Sequence, residues 1–130
     1  GLFLTHGDLD HVSGTEAVLK ETDVRKLYLS GHTERYNEYA DILELCDIYD
    51  AEAEFLSSGD ELISGGLSVQ VLWPEKEDSV SGNDGSLVLY VTSEYASGLF
   101  TGDISTEAEE RIRWPESVDY LKVAHHGSRY

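Results

Sequence analysis

Leu2-Phe3-Leu4-Thr5-His6-Gly7-Asp8-Leu9-Asp10-His11 opens the 130-residue chain. Its Leu-Phe-Leu run is fully apolar, the pattern of a buried strand, and the end of that strand delivers Thr5-His6-Gly7-Asp8 into a loop. Ser13-Gly14-Thr15 then offers N-cap candidates for a helix over Glu16 to Glu21, and Val24 to Leu29 reads as the next strand, closed by Ser30-Gly31. Strand, loop, helix and strand in this order form a βαβ unit, which predicts a layered α/β fold.

The rest of the chain extends the pattern. From Glu34 to Cys46 the apolar Tyr36, Tyr39, Ala40, Leu43 and Cys46 recur at threes and fours, an amphipathic helix whose tyrosines are packing residues. The period then falls to two: Leu67, Val69 and Val71 alternate with Ser68 and Gln70, and the strand stops at Trp73-Pro74. Ser86 to Thr92 and Gly98 to Thr101 follow as strands joined by a hairpin at Glu94-Tyr95-Ala96-Ser97. Thr106 to Arg113 reads as a helix opened by Ser105 and ended before Pro115, and Tyr120 to Ala124 as a last strand.

Length and composition set the outer limits. The chain is long enough for one domain with a real core, and its apolar runs fall well short of the roughly 20 residues that span a bilayer. The formal net charge is −17, from 26 acidic and nine basic residues. Such a balance repels polyanions unless bound cations reverse the field locally, and it also attracts cations. The single Cys46 excludes an internal disulfide and a multi-cysteine zinc knuckle, and its helical position makes it core. The chain begins with Gly1 and contains no methionine, so it is expected to be the middle of a longer domain, truncated at both ends.

Three segments carry chemistry, each an apolar strand ending in potential metal ligands. His6, Asp8, Asp10 and His11 crowd the first loop, and a mixture of imidazole and carboxylate suits Zn²⁺ or Mn²⁺. One such residue alone would be a solvated turn or a helix cap; the density of the group argues otherwise. Leu99-Phe100-Thr101-Gly102-Asp103 ends in a carboxylate whose two oxygens can bridge two metals, beside a glycine that lets the backbone approach closely. Leu121-Lys122-Val123-Ala124-His125-His126-Gly127-Ser128 repeats the arrangement with a histidine pair. His32 matches no motif and reads as a surface or capping residue.

In this order the motifs His6-x-Asp8-x-Asp10-His11, Thr101-Gly102-Asp103 and His125-His126-Gly127-Ser128 resemble the metallo-β-lactamase superfamily. Leu121-Lys122-Val123-x-His125-His126-Gly127-Ser128 and Asn83-x-x-Ser86-Leu87-Val88-Leu89 narrow the resemblance to the hydrolase domains of ComEC-type competence proteins. The resemblance runs from end to end of the chain and implies a four-layer αββα sandwich with two divalent metal ions at one edge of its sheets. It assigns His6 and Asp8 to the first metal, Asp10 and His11 to the second, and Asp103 to the bridge. One of the histidine pair completes the ligands of the second metal; His125 is preferred, with His126 behind it or touching substrate. The usual His-x-His-x-Asp-His carries Asp8 at its second histidine, and no histidine lies between His32 and His125 to serve the first metal, so Asn83 or Asp84 is expected to stand in. Ser128 is a further candidate for metal or substrate contact. The added oxygen ligands tilt the preference from Zn²⁺ towards Mn²⁺.

Two metals about 3.5–4 Å apart activate a shared water and stabilise charge on a phosphoryl or carbonyl oxygen, so hydrolysis needs no serine or cysteine nucleophile. Asp10 would orient the water as well as bind metal, and His126 would give a proton to the leaving oxygen. The resemblance implies a nuclease acting on single-stranded DNA during uptake, in the extracytoplasmic domain of a bacterial protein whose other part is a membrane channel. Composition alone points elsewhere, since Lys122 and Arg129 are the only basic residues flanking a motif. The competing readings are a free-standing hydrolase of small phosphodiesters or lactones, cytoplasmic or secreted, and a non-catalytic module of the same fold.

Overall fold

The computed structural model describes residues 1–31 and 39–128. The opening unit forms as its sequence requires. Strand β1 (Leu2–Phe3) pairs in parallel with β2 (Lys26–Ser30), and β2 pairs in parallel with β3 (Glu52–Leu56), giving a three-stranded sheet in the order β1-β2-β3. Helices α1 (Leu9–Val12) and α2 (Thr15–Glu21) make the first crossover, and α3 (Ala40–Tyr49) belongs to the second. The second sheet is five-stranded: β4 (Glu61–Ser64), β5 (Leu67–Trp73), β6 (Val88–Thr92) and β7 (Ser97–Phe100) run antiparallel in sequence order, and β8 (Tyr120–Lys122) adds in parallel to β7. Helix α4 (Thr106–Glu109) lies between β7 and β8 in the chain.

Three apolar clusters divide this material into layers. Leu4, Leu19, Leu27, Leu29, Ile42 and Cys46 pack helices α2 and α3 on one face of the first sheet. Leu56, Val71, Leu87 and Leu89, joined by Phe3, Tyr28, Leu62 and Val69, fill the space between the two sheets. Trp73, Val88, Leu99, Ile104, Ala108 and Ile112 cover the outer face of the second sheet beneath α4. Helix, sheet, sheet and helix follow one another, the αββα order. Leu27 and Leu29 are wholly buried, each worth about 1.5–3 kcal/mol against exposure.

Several boundaries differ from the sequence expectation. Strand β3 was not anticipated, because Glu52, Ala53 and Glu54 favour helix; its glutamates instead flank Lys26 across the sheet, at 3.6 and 2.7 Å. Nor was β4, whose pairing to β5 leaves Ile63 exposed. The helix expected from Thr106 to Arg113 stops at Glu109. The helix expected over Glu34 to Cys46 begins at Ala40 and runs on to Tyr49, ending where Asp50 turns left-handed (φ 55°). Its earlier residues, with Tyr36, lie outside the described residues, as do His32 and Arg129. Cys46 is buried as expected, and burial pushes its thiol up.

Candidate metal centre

The three motif segments meet at one end of the two sheets. His6 follows β1 and is completely buried, its Nδ1 3.0 Å from Thr5 Oγ1 and 3.2 Å from Ser86 Oγ. The Ser86 hydroxyl donates its single proton to Asn83 O at 2.7 Å and accepts from Asp103 N at 3.0 Å. Towards His6 it therefore acts as an acceptor, which puts the imidazole proton on Nδ1 and leaves a lone pair on Nε2. Burial, and then the neighbouring His11, push the His6 imidazole below its ordinary pKa against the pull of Asp8, Asp103 and Asp10. A neutral imidazole with a bare nitrogen turned inward is the form that binds metal.

Helix α1 carries Asp10 and His11, and Asp8 is its N-cap residue. His6 Nε2 lies 3.6 Å from Asp8 Oδ2, and His11 Nε2 lies 3.2 Å from Asp103 Oδ2 and 3.7 Å from Asp10 Oδ2. Neither Nε2 makes a hydrogen bond, although both are buried. A buried polar atom without a partner costs about 1–3 kcal/mol, so a pair of them beside carboxylates marks a place for a shared ligand. His6, His11 and Asp103 form one group whose ligand atoms all lie within 4.8 Å of one another; Asp10, His11 and His126 form a second. Such donors fit divalent metal ions.

His11 is common to both groups, and Asp103 of the first also lies 3.1 Å from His126 Nε2 of the second. Asp103 is 3% exposed, and burial alone would raise its carboxyl, yet the Lys122 hydrogen bond and charge, with His11 and His126, hold it below the usual carboxylate range. It therefore stays an anion among the imidazoles. Gly102 before it adopts φ +55° and packs against Ser86, leaving no room for a side chain.

The histidine pair sits in a 3₁₀ turn, Ala124–Gly127, with both histidines left-handed: His125 at φ 46°, ψ 47° and His126 at φ 54°, ψ 20°. Two successive non-glycine residues there are costly, and such strain gathers at functional sites. The turn sends the two side chains to different places. His126 Nε2 reaches 3.1 Å from Asp103 Oδ2 and 3.4 Å from Asp10 Oδ2, whereas His125 lines a cavity of about 410 Å³ with Ser81, Asn83, Asp84, Asp103 and Ser105. Thus His126, rather than the expected His125, stands among the converging donors. Asp8 and Asp84 join neither group: of these donors the Asp8 carboxylate approaches only His6, and Asp84 Oδ1 accepts from Ser105 N at 2.7 Å, at the start of α4. Asn83 contributes its carbonyl to Ser86 and lines the same cavity, and Ser128 lines a neighbouring one with His125 and Glu109. Ser86, Thr5 and Lys122 were not among the expected site residues; the Asn83-x-x-Ser86 and Lys122-Val123-x-His125 spacings were the only signal for Ser86 and Lys122, and Thr5 had only its place before His6.

Comparison with known proteins gives the same architecture. A family model described as the metallo-beta-lactamase superfamily matches residues 1–130. ComE operon protein 3 of Bacillus subtilis is 34% identical over 131 residues, covering 98% of this chain and 17% of that protein. Recombination protein 2 of Haemophilus influenzae is 28% identical over 129 residues, covering 98% and 15%. The chain thus spans about a sixth of these relatives. The Zn²⁺-bound PqqB of Methylobacterium extorquens superposes with a TM-score of 0.57 at 19% identity, covering 92% of this chain and 43% of its own, a likeness of fold.

Proposed function

The chain belongs to the metallo-β-lactamase superfamily, and from that premise we propose that it is a two-metal phosphodiesterase whose substrate is single-stranded DNA during uptake. The observation that carries the reading is the pair of buried, unpartnered nitrogens, His6 Nε2 and His11 Nε2, turned on the Asp103 carboxylate. His6, with Asp8 3.6 Å from its Nε2, holds one side of the centre, Asp10 and His126 hold the other, and His11 and Asp103 face both. His126 takes the ligand position that the sequence had given to His125, because its Nε2 is the one beside Asp103 and Asp10.

Divalent ions bound there supply positive charge for a phosphoryl oxygen and lower the pKa of water. The protein's own groups do the rest. Asp10 is exposed and lies next to both His11 and His126, so it can orient a water as well as bind. His125, in the cavity beside Asp103, is on hand for substrate and for the leaving oxygen. The extra oxygen ligation favours Mn²⁺ over Zn²⁺.

DNA as substrate rests on similarity to ComE operon protein 3 and Recombination protein 2 and on the resemblance to ComEC-type domains. No helix among the described residues is long and apolar enough to cross a membrane; the channel belongs to another part of the parent protein, with this domain on the extracytoplasmic side. With a net charge of −17, the centre itself supplies the attraction for phosphate. Hydrolysis of a single-stranded oligonucleotide and of a small bis-aryl phosphodiester, with and without Mn²⁺ and across a salt series, tests this. Both substrates should turn over only with metal, and with weak dependence on salt, since few lysines and arginines neutralise phosphates here. Cleavage of the small diester alone would make the protein a small-molecule hydrolase. Cleavage of neither, with metals bound, would make it a non-catalytic module.

A further inference from the structure

Lys122 is a cation beside a centre built to gather cations. It ends β8, where it pairs with Phe100 of β7 in parallel register, and its backbone carbonyl accepts from Thr101 Oγ1 at 2.7 Å. From there Nζ donates to Gly102 O at 2.6 Å and to Asp103 Oδ1 at 3.0 Å. Gly102 O also accepts from His125 N at 3.2 Å, so the ammonium is fixed to the same carbonyl that holds the histidine turn.

The two oxygens of Asp103 thereby have separate duties. Oδ1 belongs to Lys122, and Oδ2 is left 3.2 Å from His11 Nε2 and 3.1 Å from His126 Nε2. By Coulomb's law an ammonium here opposes any bound cation, so attraction of metal cannot be its use. Its side chain is 36% exposed and has a solvent route available, yet it is turned inward onto the carboxylate. Resting on the metal-centre reading above, we propose that Lys122 is the positioning residue of that centre: it captures Asp103 Oδ1 so that the carboxylate meets the metals through Oδ2 alone. Without it Oδ1 is free to bind metal as well, so the carboxylate can chelate one ion or span two through both oxygens, and the single-oxygen contact is lost. Outer partners of this kind orient the ligands and tune the metal.

Co²⁺ reports both affinity and geometry, because its visible bands weaken as coordination number rises. The full chain, Lys122→Met and Lys122→Gln should be titrated with Co²⁺ and followed by absorption, with thermal unfolding of each metal-free protein alongside. Methionine keeps the length and loses the donor; glutamine is polar but too short to reach, and serves if the methionine variant fails to fold. Both should bind Co²⁺ about 10- to 100-fold more weakly and show weaker, shifted bands. Bands identical to those of the unaltered protein would overturn the proposal, whatever happens to the melting temperature, since a purely structural lysine would change only the latter. An unaltered protein that binds no Co²⁺ at all would instead refute the metal centre itself and take this inference with it.

Discussion

Replacing Gly102 by alanine would place a Cβ 2.3 Å from Ser86 Cβ and 2.7 Å from Ser86 Oγ, at a backbone φ of +55°. Two costs arise. The left-handed conformation costs an L-residue about 1–2 kcal/mol, and relieving an overlap in a packed interior costs about 1–3 kcal/mol more. Gly65 separates them, for it has nearly the same φ, +59°, with nothing within 4 Å of its Cβ position. Urea unfolding of the metal-free proteins should therefore show Gly65→Ala destabilised by the backbone cost alone, and Gly102→Ala by about 2–5 kcal/mol, near 4 °C of melting temperature per kcal/mol. Ser86 must move to admit the methyl, and it holds Asp103 N and His6 Nδ1, so metal affinity should fall in Gly102→Ala and stay unchanged in Gly65→Ala. Equal destabilisation of the two variants would refute the overlap argument, and unchanged metal binding in Gly102→Ala would refute the role of Ser86.

Other substitutions probe the remaining parts of the account. His126→Ala should weaken Mn²⁺ binding by at least about tenfold, while His125→Ala should leave binding intact and lower turnover; calorimetric titration giving the reverse order would restore His125 as the ligand. Because His11 belongs to both groups of donors, His11→Ala should weaken both equivalents of metal, as should Asp103→Asn, and selective loss of one equivalent in either would break the shared geometry. Asp119 accepts from Ser97 N and Ser97 Oγ, which hold its carboxyl below the usual range. A folded pKa below the unfolded value of about 3.9 gives stability that is present above that value and lost as pH falls through the folded one. Asp119→Asn should therefore lower the melting temperature at pH 7, with the difference closing below about pH 4; a difference constant with pH would contradict the assignment.

What was legible in the sequence were the features written in local pattern. The Leu2-Phe3-Leu4 run, the period of two from Leu67 to Val71 and the glycine-aspartate at the end of β7 all appear where their residues demand. Strand β3 was hidden because its alternation is of glutamate with alanine and phenylalanine, and its reason to be extended is Lys26 on another strand. The end of α4 was hidden for a similar reason: Glu110 to Arg113 have helical character, while Ile112 is drawn into the core of the second sheet and Arg111 lies over the Trp73 ring. Among the candidate ligands, proximity in sequence brought out His6, Asp8, Asp10 and His11 together. The choice between His125 and His126 depends on two successive left-handed residues, which no residue type in that turn announces except Gly127 after them. Lys122 read as a basic flank because a lysine reveals nothing of its partner until β8 is placed beside β7.

The most direct test of the metal centre is anomalous diffraction at the manganese or zinc edge from crystals of the metal-loaded protein. Two peaks about 3.5–4 Å apart, flanked by His6 Nε2, His11 Nε2 and His126 Nε2 with Asp103 Oδ2 between them, are the expected result. Peaks confined to the acidic surface, or a loaded crystal with none at Asp103, would contradict it.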